Sequence, residues 1–154
     1  MLDILIKKWV ELDTKELYQL LQLRSDVFVV EQECAYQDLD GKDMRADHFL
    51  VYKNDPKSAQ RTLVAYCRSY QELIVEKKYM AIGRVCTHKE YRGLGIARQL
   101  MEQTIKVNTK QQALQLTVSA QAYLESFYRS LGFATVSEPY LEDGIAHIRM
   151  VRDN

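Results

Sequence analysis

The run Arg92-Gly93-Leu94-Gly95-Ile96-Ala97 falls between an apolar, β-rich stretch ending near Thr87 and an amphipathic stretch in which Ile96, Leu100, Met101 and Ile105 share one helical face. A short apolar run from Leu114 to Val118 follows. Strand, helix and adjacent strand in that order make a parallel crossover, so this part of the chain must be a sheet with a helix packed on it. The glycine turn opens that helix, where backbone N–H groups are unpaired and carry partial positive charge. Glycines there let the backbone approach a diphosphate with no Cβ in the way. Two glycines in a loop can also do no more than turn the chain. The GxxxxGK[ST] run of a P-loop and the GxGxxG run of a dinucleotide-binding turn are both missing.

The rest of the pattern alternates in the same way. Ile4, Ile6 and Trp9 to Leu12 suggest an opening strand. Asp13 or Thr14 then caps a helix with Glu16 in its first turn, and Leu17, Leu20, Leu21, Arg24, Val27 and Phe28 keep helical spacing. Three β-rich runs at about residues 47–53, 62–70 and 79–87 read as an antiparallel meander, the first two separated by Asn54-Asp55-Pro56-Lys57-Ser58. Leu124, Phe127, Tyr128 and Leu131 mark a last helix stopped by Gly132. Phe133 to Val136 and Ile145 to Val151 then form a terminal hairpin around Glu142-Asp143-Gly144. With 154 residues, 47% of them hydrophobic, and no repeat or linker, the expectation is a single domain over 1–154.

Charge and cysteine usage exclude several classes. The 21 basic and 21 acidic residues cancel, leaving no overall field for nucleic acid or an anionic membrane. No stretch approaches the roughly 20 apolar residues of a membrane span, and Met1 leads at once to Asp3, Lys7 and Lys8, so cytoplasmic residence is expected. Cys34, Cys67 and Cys86 form no CxxC pair, and His48, His88 and His147 lack ligand spacing, so no metal is expected. From Glu31 to Asp47 six carboxylates face only Lys42 and Arg45, which reads as an irregular acidic loop. Such a loop either concentrates a cationic substrate or is merely solvated.

Two separate runs carry a family resemblance. IGRVCTHKEYRGLGIA, from Ile82 to Ala97, resembles the acetyl-CoA-binding pattern [QR]xxGx[GA] of GNAT N-acetyltransferases, with Arg92, Gly95 and Ala97 at its defined positions. LTVSAQAYLESFYRSLGF, from Leu116 to Phe133, is similar to that family's second half, where a strand leads to a helix ending in FYxxxGF. Leu21 to His48 and the tail Glu142 to Ile148 look like the ElaA-type branch. The resemblance implies an α/β (α+β) fold with a mixed, mostly antiparallel central sheet of about seven strands flanked by about four helices. It departs from the family at Gln121, where an Asn is common, and at Ala97, where Gly is commoner.

The same resemblance implies an acyltransferase that uses acetyl-CoA as cosubstrate. The backbone of Val85, Cys86 and Thr87 would pair with the pantetheine arm like an added strand, and a backbone N–H there would polarise the thioester. Arg92, Gly93, Leu94, Gly95, Ile96, Ala97 and Gln121 complete the expected cofactor-binding set. Tyr128 occupies the position whose phenol meets the CoA sulfur, as general acid; its other reading is core packing with Leu124 and Phe127. An amine with a pKa near 10 also needs a base, for which Glu31 and His147 are the candidates. The expected partner is a small-molecule amine, with the protein a monomer or homodimer. Two alternatives stand beside this one: a CoA-liganded sensing module without turnover, and acyl-homoserine-lactone synthesis, suggested by the VFVVEQ run.

Overall fold

The computed structural model describes residues 1–111 and 113–153. β1 (Leu2–Lys8), β2 (Asp47–Asn54), β3 (Arg61–Ile74) and β4 (Lys77–Thr87) run as an antiparallel meander. β4 then meets β5 (Leu116–Gln121) in parallel, and β5 continues antiparallel into β8 (Ile145–Arg152). The short strands β6 (Ala134–Thr135) and β7 (Tyr140–Glu142) both pair with β8. The mixed, mostly antiparallel sheet is therefore as expected, with eight strands among the described residues rather than about seven. The added strand is β7: the hairpin closing at Asp143 (φ 51°) and Gly144 (φ 75°) joins β7 to β8, while Ala134 and Thr135 pair with the far end of β8.

α1 (Thr14–Arg24) starts at Asp13, whose carboxylate accepts from the Glu16 N–H at 2.7 Å while the Glu16 carboxylate accepts from the Asp13 N–H at 3.1 Å. It does not stop at Arg24 but widens into a π-helical segment, Ser25–Glu31, a local under-winding common at functional sites. α2 (Ile96–Gln111) is the crossover helix, and α3 (Glu125–Arg129) follows a 3-10 turn. The described helices are thus three α-helices, this π-helical extension and four 3-10 turns of three residues each. Strand alternation gives the sheet two apolar faces. One buries Val51, Ile82 and Val118 against Leu100 and Met101 of α2; the other buries Leu50, Tyr52 and Tyr66 against Leu20 and Leu23 of α1.

The acidic segment is irregular, as expected, but its charge is not free. Arg24, fully buried on α1, donates to Asp38 at 2.9 Å and Asp43 at 2.7 Å. Arg68 of β3 donates to Asp43 at 2.7 Å and grips Asp40, and Arg84 of β4 donates to Asp38 at 2.8 Å. Burial opposes the ionisation of Asp40 and Asp43, but the hydrogen bonds from Arg68 and Arg24 outweigh it and hold both carboxyls below the usual carboxylate range. The idea that these carboxylates attract a cationic acceptor is therefore corrected. Three arginines from three other elements neutralise them and pin the segment to the sheet.

Candidate active site

β4 and β5 are paired only at Met80↔Leu116 and Ala81↔Thr117, and from Ile82 onward they part. The cause is a β-bulge: Arg84 and Val85 stand opposite the single residue Cys67, and Arg84 takes a left-handed φ of 53° that non-glycine residues rarely adopt. The bond from Arg84 to Asp38 holds that conformation in place. Between the parted strands opens a cleft of about 1070 Å³, lined by every residue from Ala81 to Thr87. Val85 packs on the α2 face and Cys86 is buried on the α1 face, so their side chains belong to the core. Among the described residues, their backbone edge toward β5 has no strand beside it.

The glycine turn borders the same cleft. Gly93 and Gly95 both have φ of 75°, and a Cβ at either would meet nothing within 4 Å, so the backbone at the start of α2 faces open space. Gly95 caps α2 through its carbonyl, which accepts from Gln99 N–H at 3.1 Å; Ile96 is buried, Ala97 lines the cleft and Leu94 is exposed. Arg92 uses its side chain elsewhere. Its Nε donates to the Thr87 carbonyl at 3.0 Å, and its two terminal nitrogens bind both oxygens of Glu31, one at 2.7 Å. Arg92 thereby holds the Glu31 carboxyl below its ordinary value. Of the two candidate bases, Glu31 is accordingly committed to a structural contact.

Across the cleft, Tyr128 is 5% exposed and packs edge-on against Phe127 and Phe133, with ring centroids 5.2 and 6.0 Å away. Tyr128 thus belongs to the core and also lines the cleft. Burial pushes its phenol pKa up, which keeps the proton on the oxygen. Gln121 ends β5 opposite His147 of β8, and both line the cleft. His147 Nδ1 lies 2.7 Å from the Ile145 carbonyl, which can only accept, so Nδ1 carries the proton and neutral His147 keeps its lone pair on Nε2. Glu142 lies 3.5 Å from that nitrogen, and Tyr140 stacks on the ring at 6.2 Å. His48 is buried between Tyr66 and the Asp43 carbonyl, and His88 caps a short turn, so neither takes part.

Several cleft residues carried no signal by themselves in the sequence. Arg68 and Arg84 hold the acidic segment; Arg98, in the first turn of α2, donates to Ser130 at 2.7 Å and lies over the Phe127 ring. Glu142, Ser119 and Arg149 line the cleft around His147. A period-two reading of Ala146 to Val151 does place His147 and Arg149 on one face and Ile148 and Met150 on the other. Among the described residues, no cluster of three or more His, Cys, Asp or Glu is placed to hold a metal ion, and no helix is long and apolar enough to cross a membrane.

A sheet split by a bulge at the mouth of a glycine turn is the architecture of the GNAT class of acyltransferases, and comparison agrees. The chain belongs to the GNAT family: residues 27–153 match its acetyltransferase (GNAT) domain. It is 44% identical to the ElaA protein of Escherichia coli K12 over 146 residues, 93% of this chain and 91% of that protein. The crystal structure of Escherichia coli ElaA superposes with a TM-score of 0.89 at 40% identity, covering 99% of this chain and 100% of that one. An acyl-CoA N-acyltransferase from Pseudomonas aeruginosa gives 0.87 at 39% identity over 99% of each chain. An acetyltransferase from Clostridium acetobutylicum, solved with acetyl-CoA, shares the fold at 0.68 and 15% identity, over 92% of this chain and 95% of that one.

Proposed function

We propose that this acyltransferase moves an acetyl group from acetyl-CoA to a small amine. The single observation that carries the reading is the free edge of β4 from Ile82 to Thr87, lying beside the open glycine turn at the start of α2. The two features fit the two halves of CoA. A strand edge with unpaired N–H and C=O groups suits the amide-bearing pantetheine arm, and unpaired N–H groups at a helix start suit a diphosphate. Arg98 adds positive charge at that end of the cleft. When bound, acetyl-CoA supplies the activated acyl carbon.

The chain's own residues then supply binding and proton movement. Backbone N–H groups on the β4 edge stabilise the negative charge that develops on the acyl oxygen, an effect worth about 3 kcal/mol in other enzymes. His147 Nε2 takes the proton released as the amine nitrogen bonds to the acyl carbon. The Tyr128 hydroxyl donates to the sulfur as the carbon–sulfur bond breaks, so CoA leaves as the thiol and the amine as its amide. The acceptor side is walled by β7, β8 and the arginine-pinned segment.

Calorimetry should detect CoA and acetyl-CoA, and thiol release should appear when an amine panel is added. Gly95→Ala places a Cβ in the open space of the turn and strains a left-handed residue, at a cost of about 1–2 kcal/mol in stability. The variant should stay folded and lose at least about tenfold in CoA affinity, which is 1.4 kcal/mol. Unchanged affinity in a folded Gly95→Ala protein, or no CoA binding by the wild type, sinks this assignment.

A further inference from the structure

Five arginines line the cleft: Arg68, Arg84, Arg92, Arg98 and Arg149. Three of them are committed to carboxylates, Arg68 to Asp40 and Asp43, Arg84 to Asp38, and Arg92 to Glu31. Arg98 stands at the start of α2, at the end assigned above to the diphosphate. Arg149 is different. It is half-buried on β8, and among the described residues its guanidinium has no acidic partner; one terminal nitrogen donates to Thr117 Oγ1 at 3.0 Å. The Thr117 hydroxyl in turn donates to the Met150 carbonyl at 3.0 Å, so it can only accept from Arg149 and is itself fixed.

The place of this guanidinium is as informative as its lack of a counter-ion. Thr117 belongs to the last residue pair before β4 and β5 part, so Arg149 reaches the base of the split. His147 lies two residues away on the same face of β8, a separation of roughly 7 Å along the strand. The nearest acid on the hairpin, Glu142, is engaged by Ser119 Oγ at 3.0 Å and faces His147 Nε2 at 3.5 Å. A half-buried guanidinium with most of its five N–H donors unmatched by protein is a site for a planar, bidentate anion.

We infer that the acceptor is an amino acid or a close analogue, an amine carrying a carboxylate a few bonds from its nitrogen, with Arg149 binding the carboxylate while His147 receives the amine's proton. This rests on the transfer reading given above. It specifies the substrate class, and it makes Arg149 a specificity-determining residue. The neutralised acidic segment agrees with it, since the carboxylates Asp38, Asp40 and Asp43 are held by arginines and leave no free anionic wall to repel such an acceptor.

The test compares small L-amino acids with their carboxamides as acceptors, in wild type, Arg149→Gln and Arg149→Lys, by thiol release from acetyl-CoA. At least one acid should exceed its amide in kcat/KM by about tenfold, the scale of a charge-assisted hydrogen-bonded pair. That ratio should collapse toward one in Arg149→Gln and recover in part in Arg149→Lys, which keeps the charge without the fork. Comparing the ratio between proteins removes the difference in basicity between an amino acid and its amide. Amides matching or exceeding their acids in every pair, or an acid preference that survives Arg149→Gln, overturns the inference while leaving acetyl transfer standing. Calorimetric titration of the CoA-loaded proteins with the same acids separates the two layers. Binding that needs Arg149 without thiol release upholds the anion site and removes the transfer reading, whereas no Arg149-dependent binding and no transfer overturns both.

Discussion

The guanidinium of Arg92 grips both carboxylate oxygens of Glu31, tying the glycine turn before α2 to the end of the π-helical segment after α1. The pair is well exposed, so its worth to folding is at most about 1 kcal/mol. Its role is to fix a backbone. With Nε on the Thr87 carbonyl, Arg92 joins the end of β4 to the turn. Glu31→Gln should therefore leave kcat within about threefold and weaken CoA by a similar factor, since the lost energy is under about 1 kcal/mol. A collapse of kcat with unchanged CoA affinity in steady-state assays would make Glu31 the base after all.

Asp43 receives hydrogen bonds from two buried arginines, Arg24 and Arg68, each at 2.7 Å to the same oxygen. Removing its charge takes one of two carboxylates from each buried guanidinium, Arg24 keeping Asp38 and Arg68 keeping Asp40, so Asp43→Asn should lose about 1.5–3 kcal/mol in urea unfolding at neutral pH, the range for hydrogen bonds to charged groups. Burial opposes its ionisation, but the arginines win and the folded pKa is lowered. Its contribution is therefore complete above the unfolded value, about 3.9, and is lost as pH falls below that through the folded value. Wild type should lose stability steeply below about pH 4, and Asp43→Asn should lose less over that window, so the two curves converge.

What the sequence revealed was whatever was written locally. The Asp13–Glu16 capping box, the glycine turn and the amphipathic face of α2 each depend on neighbours a few residues apart, and each lies where the pattern puts it. The β3–β4 hairpin is longer than its pattern because it turns at Val75 and Glu76, both left-handed at φ 45° and 64°, with no Gly or Asn to announce it. The arginine pairings join residues 14 to 46 apart in the chain, so the acidic run looked like free charge until the fold brought Arg24, Arg68 and Arg84 to it. Arg24 alone left a trace, an arginine on the apolar face of a helix, which needs a buried acid. Tyr128 and His147 were legible as chemistry-bearing types, but the tautomer that frees His147 Nε2 comes from the Ile145 carbonyl, which only the turn geometry supplies.

Tyr128→Phe keeps the ring between Phe127 and Phe133 and removes only the hydroxyl. Stability should change by less than about 1 kcal/mol, within the range of one neutral hydrogen bond. If the hydroxyl serves the leaving sulfur, kcat should fall about a hundredfold with KM nearly unchanged, because the loss is felt only as the thiolate departs. Turnover within a factor of about two would assign that proton to water and return Tyr128 to the core alone.

His147 carries the last prediction, and its neighbours make the outcome specific. Nδ1 is held by the Ile145 carbonyl, so a proton can be gained only at Nε2, where Glu142 waits at 3.5 Å. An open ring nitrogen, with the ring's other nitrogen fixed, is what general-base catalysis requires. His147→Gln should lower kcat/KM by about a hundredfold, the lower end for a lost general base. Calorimetry should find CoA affinity unchanged within about twofold, because the ring contacts Tyr140 and Glu142 and not the glycine turn before α2. Glu142→Gln keeps the imidazole and should cost much less than His147→Gln in kcat/KM. A ring that merely packs against Tyr140 would instead give two variants with similar, small losses. Turnover of His147→Gln within about threefold of wild type would move the base to water.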